Sequence, residues 1–206
     1  AAELRGIISK TLAPKLHTTP EAIVIRDDLV RYGDRSVSWE EAMSMMYDAR
    51  VHPRAYGSFK APDIDWDEEI GSGNPYFTYV YSCQAAEVKV SRKTGKITLL
   101  NITAAHDIGK AVNPEMLKGQ IYGGITQGAG MALTERFGIE EGKTKSLNYN
   151  TYRIPAASDM PDINAHIIEN FDPASPHGCK GIGEPALEII APAIANAVYR
   201  ATGRRQ

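Results

Sequence analysis

Residues 114–135 constrain the chain more than any other stretch. They carry a helical pattern, opened by the helix-start signal Asn113-Pro114. Yet Gly119, Gly123, Gly124, Gly128 and Gly130 all fall inside it. Each interior glycine costs about 0.5–1 kcal/mol relative to alanine, so propensity alone opposes this helix. Packing must compensate. Glycines in this register leave a smooth face that another backbone, or a ligand, can approach closely.

The neighbouring segments supply possible partners. Residues 76–90 read as one long strand and 96–105 as its hairpin partner, joined by a turn ending in Thr94-Gly95. A polar hairpin-like segment spans 138–148, and another strand about 163–170. A final helix covers 186–202, with Leu187, Ile190, Ile194 and Val198 along one stripe. Gly203 suits its C-terminal end. At the other end of the chain, residues 1–13 read as a helix and 23–32 as a hairpin around Asp27-Asp28. Ser38 and Glu41 fit a capping box that opens a helix to about Tyr47. Residues 50–75, rich in Pro, Gly and acidic side chains, read as a long irregular connection. The expected fold class is α+β. Antiparallel strands pack with the Gly-rich helix and the C-terminal helix. A small α+β unit occupies residues 1–55, and residues 56–206 form the main unit or continue into it as one domain.

Composition removes several functions. With 23 basic and 25 acidic residues the net charge is −2, so no basic excess exists to neutralise a nucleic-acid backbone. Cys83 and Cys179 form no CxxC, and the five histidines lack i, i+4 pairing, so no metal site is expected within the chain. Few cysteines favour a reducing, cytoplasmic setting. No apolar run is long enough for a membrane span. The Gly-rich stretch lacks the G-x-G-x-x-G setting of a dinucleotide fold. The start at Ala1, directly in a helical pattern, suggests a piece or a processed subunit of something larger.

The chemical signal lies at Lys180-Gly181-Ile182-Gly183-Glu184-Pro185. A carboxylate follows two glycines just before a helix start. Backbone N–H groups in such a loop can cradle an anion, and a secluded Glu184 can act as a general base. The plainer alternative is a carboxylate that only complements the helix dipole. His106-Asp107 is discounted as a catalytic pair, because neighbours in a strand face opposite ways; Asp107 reads as a turn residue. Cys179 reads as incidental rather than reactive. Gln120 and Gln127 are open between ligand binding and packing.

Three ordered segments together resemble one family. They are 104–135 (AAHDIGKAVNPEMLKGQIYGGITQGAGMALTE), 152–163 (YRIPAASDMPDI) and 178–203 (GCKGIGEPALEIIAPAIANAVYRATG). They are similar to the C-terminal part of the large subunit of molybdenum hydroxylases, the xanthine dehydrogenase and aldehyde oxidoreductase family. The hairpin 76–114 fits as well, so the resemblance covers roughly 56–203.

The resemblance implies a function and roles. The large subunit binds molybdenum through a molybdopterin cofactor and hydroxylates a heterocycle or aldehyde with water. Glu184 matches the general base. Gln120, Lys180, Gly181, Ile182 and Gly183 match positions beside the cofactor. Iron–sulfur clusters and flavin lie on other domains or subunits. The family's subunit is much longer than this chain, and its other cofactor loops lie in segments absent here. The implied partners are therefore the remainder of the large subunit, the iron–sulfur and flavin parts and a small-molecule substrate. The isolated chain is expected to be inactive and to self-associate. The alternative function is a non-catalytic docking module of a multi-subunit oxidoreductase.

Overall fold

A computed structural model describes residues 1–205. The chain forms two compact units, Ala1–Lys60 and Ala61–Gln206.

In the first unit, helix α1 (Ala2–Leu12) precedes strands β1 (Ile23–Arg26), β2 (Leu29–Tyr32) and β3 (Arg35–Ser38), then helix α2 (Trp39–Asp48). The strands form an antiparallel meander in that order. Asp27 and Asp28 turn the first hairpin at φ 54° and 57°, a left-handed region that aspartate tolerates. The third strand has no apolar alternation strong enough to read beforehand; only Val37 among its four residues is apolar. The capping box is present: Glu41 N–H donates to Ser38 Oγ (3.1 Å) and Ser38 N–H donates to Glu41 Oε2 (2.9 Å). Ile8, Leu12, Val30, Ala42 and Met46 make the core.

The second unit opens with a short hairpin, β4 (Asp65–Asp67) and β5 (Ser72–Asn74), inside the expected irregular stretch. Strands β6 (Ser82–Val90) and β7 (Ile97–Asp107) form the long antiparallel hairpin. Helix α3 (Pro114–Leu133) follows, then the small hairpin β8 (Ile139–Glu140) and β9 (Lys143–Thr144), strand β10 (Ile163–Ile168), and helices α4 (Pro185–Glu188) and α5 (Ile190–Thr202). The main sheet runs β10-β7-β6. The hairpin is antiparallel, while β10 joins β7 parallel after the crossover through α3.

Two expectations are corrected. The first long strand starts at Ser82, not residue 76. Its partner ends at Asp107, whose N–H makes the last bond, to Tyr81 O (2.9 Å), so earlier residues have no ladder to join. The C-terminal helix is broken at Ile189. Pro192 has no N–H to give to Glu188, and its ring crowds that carbonyl, so the helix restarts at Ile190.

One sheet face carries Gln84, Ala86 and Val88 on β6, Ile102, Ala104 and His106 on β7, and Ile163, Ala165 and Ile167 on β10. Against it pack α3 and α5, burying Ile121, Ile125, Ile190, Ile194 and Val198. The helical glycines serve this packing. A Cβ on Gly128 would lie 2.3 Å from Ile190 Cγ2, and one on Gly124 would lie 2.9 Å from Ala186 Cβ. Burying an isoleucine fully contributes about 1.5–3 kcal/mol, so the isoleucines brought together here offset the glycine cost.

Candidate functional site

The site is built where the end of β7, the first turns of α3 and the 178–184 loop meet. Asn113 caps α3, its Oδ1 accepting from Met116 N–H (3.1 Å), with Pro114 at the first helical position. Two turns on, Gln120 Nε2 donates to Gly183 O (2.9 Å). That bond joins the Gly-rich helix to the loop carrying Glu184.

The loop is also tied to the segment just after β7. Gly109 and Cys179 form an antiparallel bridge; Lys110 N–H donates to Gly178 O (2.7 Å) and Lys180 N–H to Ile108 O (2.8 Å). This approach requires glycine. Gly109 has φ +63°, and a Cβ there would meet Gly178 O at 2.1 Å. A cleft of about 320 Å³ lies between these elements, lined among others by Ile108, Met116, Leu117, Gln120, Ile182 and Gly183.

Of the residues expected to act together, Gln120, Lys180, Ile182 and Gly183 do line one cleft. Gly181 lies beside them with open space above its Cα. The N–H groups of residues 181–184 have no acceptor among the described residues. Glu184 stands one residue past the lining, exposed, at the start of α4 and without a side-chain capping bond. The expected long helix after it is here a single turn, so any dipole effect at Glu184 is small. Gln127 is exposed on α3, away from this cleft.

Lys180 has two sides. The residue lines the cleft, and its ammonium turns to Asp107 Oδ2 (2.7 Å) and Tyr79 O (2.9 Å), 5.8 Å above the Tyr81 ring. Asp107 also accepts from Gly109 N–H (3.1 Å), which is the expected turn role. Burial pushes the Asp107 carboxyl up. The bonds from Lys180 and Gly109, and the lysine's charge, outweigh this and hold it below the ordinary aspartate value. His106 points to the opposite sheet face, fully buried, so the two do not form a dyad. Gln84 Nε2 lies 3.1 Å from His106 Nε2 and donates to Ala186 O (3.0 Å), joining the sheet to the first turn of α4. Burial lowers the His106 pKa.

Sequence reading missed Asp107 as the partner of Lys180, and missed Gln84 altogether. Their partners are 73 and 102 residues away, and no spacing rule reaches so far. Cys179 is a free thiol whose Sγ donates to Pro176 O (2.8 Å). Among the described residues no cluster of His, Cys, Asp and Glu is arranged to hold a metal ion. No helix among them is long and apolar enough to cross a membrane.

Known proteins resemble this chain in sequence and fold. A family model described as a molybdopterin cofactor-binding domain matches residues 1–161. The match includes the N-terminal residues 1–55, which lie outside the motif resemblance, and stops before the Lys180–Glu184 loop. Aldehyde oxidase 4 of Cavia porcellus is 30% identical over 167 residues, covering 79% of this chain and 12% of that protein. The putative xanthine dehydrogenase molybdenum-binding subunit of Escherichia coli is 34% identical over 158 residues, covering 76% of this chain and 20% of that one. The chain thus spans a fifth or less of these relatives. Among solved structures, quinoline 2-oxidoreductase from Pseudomonas putida superposes with a TM-score of 0.71 at 25% identity, covering 98% of this chain and 26% of that one. Aldehyde oxidoreductase from Desulfovibrio desulfuricans gives 0.61 at 38% identity, covering 66% and 15%.

Proposed function

This chain belongs to the molybdopterin cofactor-binding domain family, and we propose that it supplies one wall of the cofactor site and the general base, Glu184, of a molybdenum hydroxylase. The observation that carries this is the bond from Gln120 to Gly183. It brings the first and third segments of the resemblance to one cleft, through residues 63 positions apart in the chain.

The residues present fit such a group. Four N–H donors at 181–184 are free of acceptors among the described residues, and the glycines at 181 and 183 leave the backbone open to a flat, anionic ligand. Gln120, with its amide already oriented by Gly183, offers its remaining polar atom to the ligand edge. When bound, the molybdenum cofactor supplies the two-electron oxidation that accompanies hydroxylation with water. Glu184 takes the proton from the attacking oxygen. Its exposure in this chain means that the rest of a hydroxylase large subunit provides the seclusion a tuned base needs. The substrate is a heterocycle or aldehyde. Iron–sulfur and flavin parts on other domains or subunits receive the electrons. The docking reading draws on the exposed aromatic residues near β6, such as Tyr76 and Tyr81, and is compatible with catalysis in an assembled enzyme.

Glu184→Gln in the assembled enzyme tests the assignment. Turnover should fall about 10²–10⁴-fold, the typical contribution of a general base, with cofactor content unchanged. Undiminished turnover would remove Glu184 from the chemistry and leave the docking role.

A further inference from the structure

Lys180 and Asp107 are 6% and 9% exposed at the side chain, and their charged atoms lie 2.7 Å apart. A pair hidden to this degree is expensive to leave half-made. Removing one partner strands the other's charge away from water. The pair sits at a particular place. Asp107 is the last residue of β7, and its other oxygen holds the Gly109 turn. Lys180 is the first residue of the loop that ends in Glu184. Its ammonium also holds Tyr79 O, so one side chain gathers three segments.

The loop has few other restraints. Beyond Lys180 N–H to Ile108 O and Gln120 to Gly183 O, residues 181–183 make no hydrogen bond among the described residues. Gly181 and Gly183 also have no neighbour within 4 Å of a notional Cβ. A loop of this kind takes its position from its ends.

We infer that the buried Asp107–Lys180 ion pair fixes the near end of the 180–184 loop, which makes both residues positioning residues for Glu184 and for the cofactor wall. Neither is catalytic, since Lys180 directs its charge away from the cleft and Asp107 lies behind it. The inference rests on the reading of Glu184 given above. It extends that reading to residues 73 positions apart that the cleft itself does not identify.

The test compares Lys180→Met, Asp107→Asn and the double variant in the assembled enzyme. The double variant strands no charge, so it folds where a single variant fails to. Lys180→Arg keeps the charge and serves as the conservative rescue. The first readout is hydrogen exchange at the Lys180 and Lys110 amides, which donate to Ile108 O and Gly178 O where the loop is tied down. It should quicken at least ~10-fold in the double variant, while peptides of α1 and α2 are unchanged. The second is steady-state kinetics. A misplaced base lowers kcat by roughly 10²-fold with KM nearly constant, and Lys180→Arg recovers part of it. Unchanged loop exchange in a folded double variant would overturn the inference, whatever the kinetics. If Glu184→Gln retains turnover, the proposed function fails, and the exchange experiment still decides whether the ion pair holds the loop.

Discussion

His106 shows how a single buried side chain writes a pH dependence into the fold. Gln84 Nε2 must donate to Ala186 O, so His106 Nε2 accepts and the proton sits on Nδ1. That Nδ1 and Gln84 Oε1 are both buried without a partner among the described residues. The histidine is held neutral, its pKa lowered by burial. The unfolded chain then binds more protons than the folded one below about pH 6.5, the ordinary histidine value. Stability is therefore complete above that value and falls as pH drops through it. For one group the slope cannot exceed about 1.4 kcal/mol per pH unit, and it fades below the folded pKa. Asp107, with its pKa lowered, loses its contribution only further down, as pH falls below about 3.8 through its folded value. Thermal melts of the chain between pH 7.5 and 5 should show the first loss, and His106→Met should flatten it. A wild-type midpoint that stays level across this range would contradict the argument. The opposite facing of His106 and Asp107 was legible, because strand period alone requires it. What each one meets was not. Lys180 and Ala186 reach them only through the tertiary fold.

Helix α3 is the element in which sequence and structure explain each other. Its glycines predicted close approach, and α4 and α5 supply it. The prediction separates two glycines that look alike in sequence. On Gly128 an added Cβ would stand 2.7 Å from Leu187 O, a backbone atom that cannot swing aside, and 2.3 Å from Ile190 Cγ2. Overpacking of this kind costs about 1–3 kcal/mol and exceeds the roughly 0.5–1 kcal/mol that alanine adds to a helix. On Gly123 nothing lies within 4 Å. Gly128→Ala should thus lower the urea midpoint of the chain, and Gly123→Ala should raise it by about 0.5–1 kcal/mol of stability. Equal effects of the two would mean that propensity, not packing, governs α3. Most elements were readable because caps and periods are local: Ser38 with Glu41, Asn113-Pro114, the Asp27-Asp28 turn. The errors fell where a partner decides. Residues 76–81 are apolar enough for a strand but precede the ladder that β6 makes with β7. Pro192 breaks a stripe that the hydrophobic pattern alone carries through.

At the scale of the whole molecule, the second unit leaves much apolar surface in water. Ile70, Tyr76, Tyr81, Leu147 and Tyr149 are each more than 60% exposed. Phe137, Leu147, Tyr149 and Tyr152 together line one shallow groove. Single exposed apolar residues are normal, but a groove that gathers three aromatic rings and a leucine is the kind of patch that marks an interaction surface. The chain spans 12–20% of two of its relatives, and under the function proposed above the rest of a large subunit would cover such surface. In isolation the chain should satisfy it with copies of itself. Sedimentation velocity over a wide concentration range should show association that grows with concentration. Leu147→Ser with Tyr149→Ser should weaken it without lowering the melting midpoint, because both side chains are already in water. The same chain within an assembled enzyme should show no such association. A strict monomer at every concentration would mean that these side chains are tolerated singly, and that the groove at Leu147 and Tyr149 is not an assembly surface.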